Sequence, residues 1–246
     1  MNKRILTYTL AFFAGSLGLA QADSKEDVMA AAKKLAAAGS YSWTSARKAD
    51  PNADNNRFGG GTTEGKTQKD GFTMVTMPRG DNTFVAAIKG DKQAFRGQDG
   101  WQAVEAPAEG GGGAGGRGAF TGRMLRNFKA PAAQLEELLG QCSSIAMADG
   151  AYTGTLTEEG ARSLMTFGRG RGGNQGQGQG PQYSGVKGSV KVWVKDGVVS
   201  KYEYTVQGTV NFNGNDREIN RTTEVVIKDV GSTKIEIPEE AKKLLS

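Results

Sequence analysis

The chain has 246 residues, a formal net charge of +5 at pH 7, no histidine and one cysteine. Without histidine there is no Ser-His or Cys-His nucleophile pair and no zinc site of the His/Cys type, so catalysis would have to run on carboxylates alone. A lone Cys142 forms no intramolecular disulfide, and the mixed charges, with no block of five like residues, give no strong electrostatic case for a nucleic-acid partner.

The first 22 residues read as a secretory signal peptide. Lys3 and Arg4 form a positive n-region, Ile5 to Ala20 is apolar and uncharged, and Ala20-Gln21-Ala22 offers a small-x-small cleavage site. The expected cut follows Ala22, which places the product in the periplasm or outside the cell. Gly15, Ser16 and Gly18 break the apolar run, so no stable membrane anchor is expected. Cys142 lies far from the cut, so it is not a lipidation site at a mature N-terminus; a small buried residue is the expected role.

A helix follows, with Ser24 as its cap and Val28, Ala31, Ala32, Leu35 and Ala36 on one face, ending at Gly39. Strands come next: Ser40–Arg47, Thr63–Gln68, Phe72–Met77, Thr83–Lys89, Lys92–Gln98 and Trp101–Val104. Turn pairs such as Asp70-Gly71, Gly90-Asp91 and Asp99-Gly100 separate them, which predicts an antiparallel meander.

The middle carries helices at Thr121–Phe128 and after Pro131, two short strands (Ser143–Met147 and Tyr152–Leu156) and a helix capped by Thr157. We expect residues 119–167 to form a helical insertion in a single domain spanning 23–246. Two low-complexity segments bracket it, at 109–118 and 168–182. Both are Gly-rich and are expected to be disordered loops. The arginines at 117, 169 and 171 are too few to make a nucleic-acid segment.

The C-terminal strands give the strongest pattern. Tyr183–Lys195, Ser200–Phe212 and Arg217–Lys228 alternate with a period of two around Asp196-Gly197 and Asn213-Gly214, so each strand has one buried and one wet face. Trp193 is out of phase with Val190, Val192 and Val194. The acidic pairs Glu136/Glu137, Glu158/Glu159 and Glu239/Glu240 are read as helix N-terminal residues that complement the dipole, not as a catalytic pair. A short helix, Glu239–Leu245, closes the chain. No catalytic residue, metal ligand or cofactor site is identified.

The segment from Val192 to Tyr204 (Val-Trp-Val-Lys-Asp-Gly-Val-Val-Ser-Lys-Tyr-Glu-Tyr) resembles the W-V-x-K-x-G-x-x-x-K hairpin of LolA-like proteins. The end of the chain, with Asp229-Val230-Gly231 and Ile235-Glu236-Ile237-Pro238, resembles their last strand and tail. That group includes periplasmic lipoprotein carriers and the mycobacterial LppX/LprG lipid-binding lipoproteins. The resemblance implies an α+β fold: a curved, unclosed antiparallel β-barrel, or half-barrel, packed against helices. It also implies a cavity that takes a lipid or a lipoprotein acyl chain. The apolar sheet residues Phe72, Met74, Phe84, Ile88, Tyr202 and Tyr204 are the candidate ligand-binding set. A filled core serving an envelope protein partner is the alternative.

Overall fold

The computed structural model describes residues 17–48, 61–79, 82–104, 122, 124–166, 181–212 and 214–246. The elements run α1 (Leu17–Ala36), β1 (Ser40–Arg47), β2 (Thr63–Gln68), β3 (Phe72–Arg79), β4 (Asn82–Lys89), β5 (Lys92–Gly97) and β6 (Gly100–Ala103). They continue with α2 (Pro131–Gly140), β7 (Cys142–Ala148), β8 (Ala151–Leu156), α3 (Glu158–Thr166), β9 (Gln182–Lys195), β10 (Val198–Phe212), β11 (Asn215–Lys228) and α4 (Glu239–Leu244).

All the described strands belong to one antiparallel sheet in the order β6-β5-β4-β3-β2-β1-β11-β10-β9-β8-β7. The first meander and the last one meet where β1 pairs with β11, matching Trp43 to Ile227 and Arg47 to Thr223. The sheet curves but does not close, and β6 and β7 are its free edges. This is the half-barrel α+β architecture expected from the hairpin. Tight turns carry the chain between long strands: Asp149-Gly150 and Asp196-Gly197 both hold positive φ at two successive residues, which the twist of a two-residue hairpin demands.

Alternation divides the sheet into two apolar faces. The inner face takes Tyr41, Trp43, Val75, Phe84, Ala86, Ile88, Val190, Val192, Tyr202, Val206, Val225 and Ile227. Helices cover it: Val28, Ala31, Ala32 and Leu35 of α1, Leu135, Leu138 and Leu139 of α2, and Ala161, Leu164 and Met165 of α3. The outer face carries a smaller cluster in which Ile237, Ala241 and Leu245 of the C-terminal tail lie on Ala87 and Ala94. Two bulges between β9 and β10 reset the alternation there. One at Ser200 lets both Val199 and Tyr202 face inward; another at Gly185 does the same for Tyr183 and Val186.

Two expectations change, at Ser24 and at Glu136/Glu137. The helix assigned to start at Ser24 is already formed at Leu17, so Ser24 is an interior residue in this chain. Within 119–167 the two expected strands form, and their β7–β8 hairpin joins the large sheet, with Tyr152 paired to Val192. Glu136 and Glu137 lie in the middle of α2 and not in its first turn, whereas Glu158/Glu159 and Glu239/Glu240 do occupy first turns. The low-complexity segment 109–118, and 168–180 of the other, lie outside the described residues, as does the signal segment up to residue 16. No described helix is long and apolar enough to cross a membrane.

Candidate functional site

The register of β3 and β4 decides which candidate residues meet. Phe84 pairs with Met77, Ala86 with Val75 and Ile88 with Thr73. Partners in an antiparallel pair share a face, so the odd-numbered residues of β3 point inward with Phe84 and Ile88. Phe72 and Met74 therefore point outward. They pack in the second cluster with Trp101 and Ile235, and the Lys89 ammonium lies 4.6 Å from the Phe72 ring centre. Tyr202 and Tyr204 reach the inner core, their rings 6.4 Å apart. The six candidates thus divide into four facing the helices and two facing the tail.

The inner space is filled in this structure. Phe84 stacks on Phe95 at 6.0 Å, and Trp43 stacks on Phe128 at 5.9 Å. Tyr202 is wholly buried, and its hydroxyl donates to Gln134 Oε1 at 2.7 Å with the Pro131 carbonyl 3.3 Å away. Tyr41 accepts the Ala132 N–H at 3.4 Å. Helix α2 has no side-chain cap of its own, so Tyr41 satisfies an orphan donor of its first turn and Tyr202 holds that turn from the sheet. Burial pushes both hydroxyls above the ordinary tyrosine range; for Tyr41 the bonds to Ala132 and Thr67 partly offset it. The pattern of inward alternation could have identified Tyr41 and Trp43 as lining residues, but nothing in the sequence identifies what they touch.

A groove of about 630 Å³ opens on the outer face, between β1–β3 and the tail. Thr44, Glu64, Lys66 and Met74 form its floor, and Lys234 and Ile235 its far wall. Lys66 reaches the Lys234 carbonyl at 3.5 Å. Met74 is the candidate residue that lines this open space, and the lining is mixed in charge.

Among the described residues no three His, Cys, Asp or Glu side chains converge as metal ligands. Cys142 is buried, its thiol donating to the Leu138 carbonyl at 3.3 Å; burial pushes its pKa up to about 11, against the pull of Lys25. It is a small core residue. Trp193 lies on the outer face, with the Lys201 and Lys191 ammonium groups 3.9 and 5.2 Å from its ring centre.

No family model matches the chain, and no curated protein matches it in sequence. Three solved structures are similar in fold. Lipoprotein LppX of Mycobacterium tuberculosis is 10% identical with a TM-score of 0.44, the match covering 88% of this chain and 99% of that one. LprF from Mycobacterium bovis is 12% identical with a TM-score of 0.42, over 89% and 98%. A LolA superfamily protein from Nitrosomonas europaea is 11% identical with a TM-score of 0.37, over 88% and 96%.

Proposed function

We propose that this is an exported, non-enzymatic binding protein that holds a lipid or the acyl chains of a lipoprotein between its curved sheet and helices α1–α3. The observation that carries the reading is the nature of the contact between cover and sheet. It is apolar along the inner face, made by Leu35, Leu135, Leu138 and Leu139 against Phe84, Val192, Tyr202 and Val225. Helices that meet a sheet only through side chains can be displaced without breaking its ladder. An acyl chain entering there exchanges leucine contacts for methylene contacts, each buried CH2 worth about 0.8 kcal/mol. The closed arrangement described above is then the empty state.

A second reading has its own support. The interior is packed and the open groove is on the outer face, which suits an interaction module with a filled core. Native mass spectrometry of protein purified from its own envelope separates the two. A bound mass of several hundred daltons, released by organic solvent, is the expected result. Phe84→Glu should abolish it and Met74→Glu should leave it, because the two residues lie on opposite faces. An apo mass with no uptake of added phospholipid or acyl peptide would move the assignment to the filled core.

A further inference from the structure

The inward phase of β11 runs Ile227, Val225, Thr223 and then Arg221, with Ile219 beyond it. The inward phase of β1 runs Tyr41, Trp43, Ser45 and then Arg47. Arg47 is paired with Thr223 in the neighbouring strand, so it lies diagonally beside Arg221. Two guanidinium groups therefore mark one end of an otherwise apolar face. Arg221 is half-buried: Val206 is its partner on β10, and the end of α3 lies over it, with the Leu164 carbonyl accepting from its Nη2 at 2.5 Å.

Neither arginine has a carboxylate within 4 Å among the described residues, and Arg47 has no hydrogen-bond partner among them. A guanidinium offers five donors in a planar fork. One of Arg221's is taken by Leu164. Among the described residues no other partner takes the remaining donors, and none of them is sealed from solvent without one. Burial and the like charge of Arg47 both work against the charged state of Arg221, with Tyr204 opposing them. Arginine nonetheless stays protonated in proteins. The local field is positive, with no carboxylate against it among the described residues, and it lies at the margin of the apolar interior.

We propose that Arg221 and Arg47 bind the anionic head group, carboxylate or phosphate, of an amphiphile whose tail lies between sheet and helices. This rests on the acyl-binding reading above and names its ligand class. The fork geometry of arginine matches both oxyanions and an apolar surface adjoins it, so charge and tail are recognised side by side.

The test uses the full chain with three probes: oleate, oleyl alcohol and inorganic phosphate, titrated calorimetrically at pH 8 and low salt. Arg47→Met and Arg221→Met are compared with the wild type, after thermal melts establish that each is folded. Oleate should bind the wild type, and each substitution should weaken it, the pair together by roughly tenfold to a hundredfold, the range for hydrogen bonds to charged groups. Oleyl alcohol should bind Arg47→Met within about twofold of the wild type, since it meets no charge, and should bind Arg221→Met at least as tightly, since the contact to Leu164 is gone. Arg47→Met removes a side chain with no described hydrogen-bond partner, so it keeps the test decisive if Arg221→Met fails to fold. Equal loss for oleate and alcohol, or no loss for either, overturns the head-group site while leaving the interior site standing. Binding of phosphate alone, with no uptake of either amphiphile, overturns both and leaves a free-anion site. No binding of any probe overturns both outright.

Discussion

Gly65 offers a direct test of how the inner face is packed. It lies in mid-β2, paired with Trp43 on one side and Val75 on the other. A Cβ at this position would overlap the six-membered ring of the Trp43 indole and lie 2.8 Å from Nε1. The indole has little room to yield. It is 4% exposed, it stacks on Phe128, and its N–H donates to Thr67 Oγ1 at 3.3 Å. Overpacking of this kind costs about 1–3 kcal/mol, and loss of the indole hydrogen bond adds about 1 kcal/mol. Alanine's smaller unfolded-state entropy returns about 0.4–1 kcal/mol. Gly65→Ala should therefore destabilise by about 1–3 kcal/mol. With urea m-values of about 1–3 kcal/mol/M, the midpoint should fall by roughly 1 M at unchanged slope. Gly140→Ala is the control: it ends α2 with nothing within 4 Å of the added carbon, so the same change should be neutral or stabilising. Pairing Gly65→Ala with Trp43→Leu should recover part of the loss in a double-mutant cycle. A Gly65→Ala midpoint equal to wild type would mean that Trp43 does not lie across β2, and the described packing of the inner face would be wrong there.

Tyr202→Phe should cost about 1–2 kcal/mol, since it strips the donor from Gln134 Oε1 in a buried setting; a melting temperature unchanged from wild type would mean the start of α2 is not held from the sheet. On the outer face Glu203 accepts from Lys48 at 2.8 Å and Lys201 at 3.1 Å; burial alone would raise its pKa, but these bonds hold it below the ordinary 4.5. A depressed folded value means stability that is present above the unfolded pKa and lost as pH falls through the folded one. Glu203→Gln should thus be less stable than wild type by about 0.5–1 kcal/mol at pH 7, with a smaller difference at about pH 3. Equal differences at both pH values would refute the ion-pair account.

The long strands were legible because both their length and their alternation left no choice of face. In β11, Ile219, Thr223, Val225 and Ile227 point one way and Glu218, Thr222 and Glu224 the other, and the structure follows that phase. β3 was not legible. Phe72 and Met74 occupy one phase and Val75 and Met77 the other, so both faces read as apolar. What decides between them is the tail: Ile235 and Ile237, more than 150 residues away in sequence, cover the outer phase. A strand buried on both faces gives no alternation to read. The same non-locality hid the role of β7 and β8. Both strands were visible in the sequence, but their attachment to β9 comes from Tyr152 meeting Val192, a pairing that no local pattern encodes. Arg47 and Arg221 were hidden by context too: each is unremarkable until β1 and β11 are set side by side.

The filled interior and the acyl-binding reading are reconciled by where the polar attachments of the cover lie. They are few. Lys25 reaches the Cys142 carbonyl at 3.4 Å, Tyr41 and Tyr202 hold the start of α2, and Arg221 holds the end of α3. Each is worth about 1 kcal/mol net, somewhat more for the charged ones. The large apolar side chains of cover and sheet meet in non-directional contact, which an acyl chain reproduces as it displaces a leucine. The cost specific to lifting the helices is therefore a handful of hydrogen bonds, and several buried methylenes at about 0.8 kcal/mol each are enough to offset it. Arg221 has donors to spare beyond the one on the Leu164 carbonyl, so a head group can engage it while the end of α3 stays attached.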